Sequence, residues 1–331
     1  MIPRMAALPD SSAELVALGE LGTRSLDAVL GEACEAWLRR LHWDYTDTAE
    51  LIRSYAAMRA LEGLALVARG EVAGYCYWVH ERAKSLVGDL FVRASWRTPA
   101  MESLLLRGAL AEMRAARAGP GGRPRRVEAQ LMQTGSRAAA LLPEGPRPRI
   151  FPRLFMLRPG LAPELPPASR MLPGLEFFPW EMRWKDAAAA LIADVYAGHV
   201  DSEINDQYRS RDGAARFLQN IVQFPGCGVF IPQASWIAAA TSGELAGLAL
   251  ATRVSASAGH VAQLCLQPAW RGSGLGYDLL RRSLAGLRDA GLAEVSLTVT
   301  EENHAAVQLY ERTGFHAIHR FEALVWDEKR C

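Results

Sequence analysis

The sequence has no CxxC pair and no cysteine–histidine cluster at zinc-ligand spacing; its five cysteines, Cys34, Cys76, Cys227, Cys265 and Cys331, are odd in number and scattered. That pattern excludes a disulfide scaffold and a zinc module, predicts no metal site, and fits reduced thiols in a cytoplasmic protein. A long apolar run is missing at the start, where Arg4, Pro9 and Asp10 interrupt MIPRMAALPDSSAEL, so no secretion signal is expected. Residues 217–243 carry no charge, but Pro225, Pro232 and several glycines break them, and they do not read as a membrane helix. A strong charge of one sign is missing as well. The formal net charge is +1 over 331 residues, with 50% hydrophobic and 22% charged residues, which describes a globular protein.

One local imbalance stands out. From Arg114 to Arg158 there are ten arginines against two glutamates, Glu128 and Glu144. No aromatic interleaving and no nucleic-acid motif accompany them, so a solvated face is expected and nucleic acid is not the expected partner.

The length suggests two domains, and the chain repeats itself. GEVAG at Gly70–Gly74 recurs as GELAG at Gly243–Gly247, and Trp96-Arg97 recurs as Trp270-Arg271, preceded by LFV at Leu90–Val92 and LCL at Leu264–Leu266. Between the copies, RPGLAPELPPASRMLPG (Arg158–Gly174) holds five prolines, which neither a helix interior nor a central strand accepts. We place a boundary there, giving domains 1–170 and 171–331. Each half reads as a short strand, two helices, a hairpin, a further strand, a turn, a helix, a strand, a short helix and a final strand. That order implies an α/β (α+β) fold: a mixed sheet with helices on its faces.

The two copies differ most after the repeated Trp-Arg. The second continues as WRGSGLG (Trp270–Gly276), the first as WRTPAME (Trp96–Glu102). In RGSGLG the chain leaves a strand and enters a helix whose first amides have no intrahelical acceptor, and glycines let an anion approach the backbone. A bare tight turn would look similar. A P-loop is excluded because GxxxxGK[ST] is absent, and GxGxG is not the dinucleotide spacing GxGxxG. In the first copy Pro99 removes an amide, Ala100 stands for Gly274, and Glu102 stands for Gly276, bringing a negative charge.

The run of apolar strand, proline, RGSGLG, amphipathic helix, strand and NHAAVQLYERTGF resembles the acyl-CoA-binding half of the GNAT superfamily of N-acetyltransferases. The family's Q/R-x-x-G-x-G/A motif stands here as Arg271, Gly274 and Gly276; its second signature stands as Asn303, Leu309-Tyr310 and Gly314-Phe315. The resemblance covers residues 177–327 well and the first half as a faded copy. It implies two tandem GNAT-like domains, with acetyl-CoA as co-substrate and direct transfer of the acetyl group to an amine in the second. Arg271, Gly272, Ser273, Gly274, Leu275 and Gly276 would take the diphosphate. The strand before the turn would splay from its neighbour, so that the backbone of Leu264, Cys265 and Leu266 holds the pantetheine arm. The first domain would have lost acyl-CoA binding and serve as scaffold. Continuing its alignment without gaps puts Ser136 opposite Asn303 and Pro143 opposite Tyr310.

Amine acetylation needs a neutral nucleophile, because an alkyl amine has a pKa near 10, together with a stabilised oxyanion and a proton for the leaving thiolate. By resemblance Tyr310 supplies that proton; a half-buried aromatic with a satisfied hydroxyl would look the same. Asn303 would lie near the cofactor arm, although an N-cap role alone would account for it. The oxyanion falls to a backbone N–H near Leu266. The strand on which many family members carry a glutamate base offers Gln263 instead. The loop GHVDSEIND supplies His199, Asp201, Glu203 and Asp206, of which Glu203 is preferred, with His260, His316 and His319 as further possibilities. The expected partner is a small-molecule or peptide amine, with no membrane. Alternatives are an acetyltransferase like mycothiol synthase, and a non-catalytic acyl-CoA-binding or interaction module.

Overall fold

The computed structural model describes residues 13–21, 26–81, 84–115, 126–142, 147–161 and 172–327. The boundary expected near residue 170 falls outside them, as does Pro143. In chain order the first half comprises β1 (Ala13–Ala17), α1 (Asp27–Leu41), α2 (Thr46–Ala57), β2 (Glu62–Ala68), β3 (Glu71–Glu81), β4 (Lys84–Val92), α3 (Pro99–Ala115), β5 (Arg126–Gln130), α4 (Ala138–Leu141) and β6 (Arg149–Pro159). The second half comprises β7 (Leu175–Pro179), α5 (Lys185–Val195), α6 (Val200–Ile204), α7 (Arg211–Gln223), β8 (Val229–Phe230), β9 (Trp236–Ala240), β10 (Leu245–Arg253), β11 (Ala258–Leu266), α8 (Leu275–Asp289), β12 (Glu294–Thr300), α9 (His304–Arg312) and β13 (His316–Asp327). The two halves repeat one order of elements, and α6 and β8 are the additions of the second.

Residue contacts divide the chain into two compact units. One comprises Met1–Trp37, Tyr45–Ile150 and Phe321–Cys331; the other comprises Leu38–Asp44 and Phe151–Arg320. In the first unit β1 to β4 pair antiparallel in sequence order, β4 pairs parallel with β5, and β5 pairs antiparallel with residues 323–327 of β13. In the second unit β7, β9, β10 and β11 pair antiparallel in that order, with β8 beside the end of β10. There β11 pairs parallel with β12, and β12 pairs antiparallel with residues 153–159 of β6. The strand that ends each half of the sequence therefore lies in the sheet of the other unit.

Local chemistry sets the elements of the second unit. Leu275, Leu279, Leu280, Leu284 and Leu287 put one apolar stripe on α8, and all five are buried. That helix stops at Gly291, whose φ of +82° suits glycine, with Leu292 N–H bonded back to the Leu287 carbonyl. β10 is the central strand and buries every residue from Leu245 to Thr252, which is why it reads as an unbroken apolar run. In β6, Leu154, Phe155, Met156 and Leu157 are all buried. His260 on β11 also belongs to the core. Its Nδ1 lies 2.9 Å from Ser296 Oγ, and its ring packs between Trp43 and Phe155 at 5.1 Å and 6.0 Å.

Among the described residues, Cys34, Cys76, Cys227 and Cys265 form no disulfide, and no helix is long and apolar enough to cross a membrane. The arginine-rich stretch is partly internal. Arg126 pairs with Glu128, which also takes Lys84 at 3.1 Å, while buried Arg158 donates to the Thr313 carbonyl at 2.8 Å.

Two measurements follow from this packing. A fragment starting at Leu172 lacks β6 and so bares one edge of β12 and the apolar side chains β6 covered. Each of those side chains contributes on the order of 1.5–3 kcal/mol, and the fragment is expected to show no cooperative thermal transition where the full chain shows one. Burial lowers the His260 pKa to about 4, so the unfolded chain binds a proton there between its ordinary pKa near 6.5 and 4 while the native state does not. Native stability should therefore fall as pH drops through that window, and denaturant titrations of His260→Phe should show a flatter dependence.

Candidate functional site

The site begins where two parallel strands part. β11 pairs with β12 only from Ala258↔Glu294 to Val261↔Leu297, yet stays paired with β10 as far as Gly247↔Leu266. A register shift between Leu250 and Ala251 of β10 accompanies the bend, as a bulge does. Along residues 262–266 alternate backbone groups point away from β10 with no strand opposite them. This is the splay the resemblance implied, and Leu264, Cys265 and Leu266 all line the cleft that it opens.

After Leu266 the chain makes a short helical turn at Pro268–Trp270 and reaches the glycines. Gly272 (φ +72°) and Gly274 (φ +98°) are left-handed, and a Cβ built on either meets no atom within 4 Å. Backbone is thus presented to open space with no side chain in between. Gly276 differs. A Cβ there would come within 3.1 Å of Leu266 Cδ1 and 3.4 Å of Leu309 Cδ2, so this glycine lets β11, α8 and α9 close up. Ser273 is occupied internally: its hydroxyl donates to the Trp270 carbonyl and accepts the Leu275 N–H. Asp278, in the first turn of α8, would repel an anion, but Arg281 at 2.8 Å and Arg282 at 3.0 Å neutralise it.

The strand splay, the glycine turn and α9 enclose a cleft of about 470 Å³. Arg271, Gly272, Gly274, Gly276, Asn303 and Tyr310 all line it. Asn303 caps α9, its side chain accepting the Ala306 N–H at 3.3 Å. Tyr310 is 7% exposed, burial holds its phenol pKa well above the ordinary value, and its hydroxyl has no hydrogen-bond partner among the described residues. Burial pushes the Cys265 thiol up to about 12.

Glu203 is not among the residues that line the cleft and lies 3.4 Å from Arg209. His199, from the same loop, does line it, and caps α6 with Nδ1 accepting the Asp201 N–H at 3.1 Å. Asp201 accepts the Thr300 hydroxyl, while Asp206, His316 and His319 are not lining residues. Among the described residues that line the cleft none is a carboxylate. Tyr196, at the end of α5, is a lining residue that the sequence reading missed. Its only sequence signal is an aromatic at the last turn of a helix, a feature of ordinary core positions too. No group of three or more metal-ligating side chains occurs among the described residues.

At the matching place in the first unit, side chains bond the backbone. Arg97, the counterpart of Arg271, donates from Nε and Nη2 to the Val92 carbonyl at 3.0 and 2.8 Å, at the end of the strand that parts there. Glu102 is fully buried and accepts the Gly135 N–H at 2.6 Å. One oxygen of the residue that stands in for Gly276 is thus turned to a backbone amide, while Oε2 is buried without a hydrogen-bond partner. Thr98 accepts the Met101 N–H, and Pro99 has none to give.

These features define a mixed α/β domain with a cleft that bare backbone lines at a helix N-terminus. Residues 199–315 match the family described as Acetyltransferase (GNAT) family, and the second unit is a GNAT-family domain. A GCN5-related N-acetyltransferase from Sphaerobacter thermophilus superposes with a TM-score of 0.66 at 19% identity, covering 97% of each chain. A tandem GNAT protein from the clavulanic acid biosynthesis pathway superposes with 0.58 at 15% identity, covering 96% of this chain and 99% of that one. The tandem GNAT fold accordingly extends over both units. The mycothiol acetyltransferase of Thermobifida fusca (strain YX) is 53% identical over 57 residues, 17% of this chain and 18% of that protein. The match thus spans less than a fifth of the relative's length.

Proposed function

We propose that the protein is an acetyl-CoA-dependent N-acetyltransferase whose chemistry resides in the second unit and which acetylates an amine by direct attack. The observation that carries this reading is the meeting of the open edge of β11, the N-terminus of α8 and the Tyr310 phenol in one cleft. The residues present fit the co-substrate: two left-handed glycines face open space at a helix N-terminus, and Arg271 adds positive charge beside them. When bound, acetyl-CoA supplies an acetyl group activated as a thioester.

In this reading the amides of Gly272, Gly274 and Gly276 bind the diphosphate, those of Ser273 and Leu275 being bonded within the turn, and the backbone of Leu264, Cys265 and Leu266 orients the arm, with Asn303 near it. The Leu266 N–H faces the acetyl oxygen. Tyr310 holds its proton at Oη, the state required of an acid that serves the leaving sulfur. Cys265 stays a neutral thiol, a poor nucleophile, which favours direct attack over an acyl-enzyme. Glu203 as base would have to leave Arg209, and His199, which lines the cleft, has Nδ1 taken by the Asp201 N–H. The first unit, whose Arg97 and Glu102 bond its own backbone, acts as scaffold without binding acyl-CoA. Residence in the cytoplasm and a small-molecule or peptide amine acceptor belong to the same proposal. A narrower reading, acetylation of a mycothiol precursor, is favoured by the identity shared with the Thermobifida fusca protein.

Acetyl-CoA is expected to raise the melting temperature by several degrees, and Gly274→Glu to abolish that shift; no shift in the unmutated protein overturns the reading. Tyr310→Phe should lower kcat roughly 100-fold with the KM for acetyl-CoA unchanged, read as free-thiol release with a panel of amines. Binding without release for every amine would point to a non-catalytic module instead.

A further inference from the structure

Two phenols in the cleft lack a partner for their protons. Tyr310 is one. Tyr196 is the other, 9% exposed, and burial keeps it protonated by holding its pKa well above the ordinary value. Its position is over-determined: the ring stacks on Tyr208 at 4.5 Å and meets His199 edge-on at 5.2 Å. Its oxygen accepts a hydrogen bond from Gln263 Nε2 at 2.8 Å. The amide is oriented in turn by Tyr208, whose hydroxyl donates to Gln263 Oε1 at 3.3 Å. Because Gln263 donates to Tyr196, the Tyr196 proton is directed elsewhere, and no described residue accepts it.

The first unit shows the opposite arrangement at the same strand position. Asp89, the counterpart of Gln263, accepts the hydroxyls of Tyr75 at 2.8 Å and Tyr45 at 3.0 Å and the Leu90 N–H at 2.9 Å. A carboxylate can only accept, so it turns both phenol protons inward; an amide donates with one end and frees the phenol it faces. His199 adds a further donor. Nδ1 accepts the Asp201 N–H at 3.1 Å, which leaves Nε2 as the ring's donor. Tyr196 and His199 thus put two donors on the cleft wall, the nearby carboxylate of Asp201 lying 3.6 Å from the His199 ring and not among the lining residues.

We propose, resting on the acetyltransferase reading, that Tyr196 is a specificity-determining residue, positioned by Gln263, whose O–H is donated to an uncharged oxygen of the amine acceptor. The acceptor class is then an amine bearing an ether, hydroxyl or carbonyl oxygen close to its nitrogen, and a simple alkyl amine is selected against. A site that offers a buried donor rejects an analogue that cannot accept from it.

The test uses the full chain saturated with CoA and two amines of equal length, 2-methoxyethylamine and n-butylamine. Dissociation constants are read by NMR titration and turnover by thiol release with acetyl-CoA. 2-Methoxyethylamine should bind about tenfold more tightly than n-butylamine. Tyr196→Phe, which keeps the stacked ring, should bring that ratio to about one while the CoA-induced melting shift persists. Gln263→Leu should lower the ratio in the same direction. Equal constants in the unmutated protein, or a Tyr196→Phe variant that slows both amines equally with the ratio intact, overturn the proposal. Absence of any CoA-induced shift would instead remove the acetyltransferase reading on which it rests.

Discussion

The second unit depends on one parting of strands. β11 and β12 share a parallel ladder through Val261 and Leu297 and then separate, while β10 keeps hold of β11 to its last residue. Backbone groups freed by such a separation have to be satisfied or exposed. Here they are exposed along one wall of a cleft, with the N-terminus of α8 at one end and α9 across from them. Gly276 lets the three elements approach; Gly272 and Gly274 leave the backbone bare. The glycines thus serve two physical requirements, close approach at Gly276 and bare backbone at Gly272 and Gly274.

The first unit shows the same frame under the opposite condition. Its parallel pairing also stops early, from Lys84↔Arg126 to Val87↔Ala129, while β4 runs on to Val92. Side chains of the protein bond the backbone around that end: Arg97 takes the Val92 carbonyl, Glu102 takes an amide at Gly135, and Thr98 caps α3. Bonds supplied in this way stabilise the first unit, because buried polar groups left unmet are costly. The exchange of Asp89 for Gln263 fits the same contrast. One group draws its phenols inward, and the other leaves a phenol free to face the cleft.

Much of this was legible in the sequence. The repeated GEVAG/GELAG and Trp-Arg pairs show the duplication, and alternation and helical spacing show the order of elements, because local patterning is written residue by residue. RGSGLG, Asn303 and Tyr310 were recognisable as a group, and of these Arg271, Gly272, Gly274, Gly276, Asn303 and Tyr310 do line one cleft while Ser273 and Leu275 do not. Less legible was Glu203: the acidic residues of its loop look equivalent in one dimension, and only in three does Arg209 stand beside it while His199 lines the cleft. His260 read as a strand histidine; its place between Trp43 and Phe155 depends on residues far away in the chain.

The sequence by itself determined the duplicated element order, the glycine turn that opens α8, and the loss of that turn in the first copy. These rest on backbone conformation and periodicity, which a few neighbouring residues settle. Tertiary structure alone decided that the last strand of each half completes the other unit's sheet, since edge pairing depends on which ladder is left open rather than on the strand's own residues. It also decided that Tyr196, Tyr208 and Gln263 share one hydrogen-bonded chain, because the direction of a phenol proton follows from partners that only folding brings within reach.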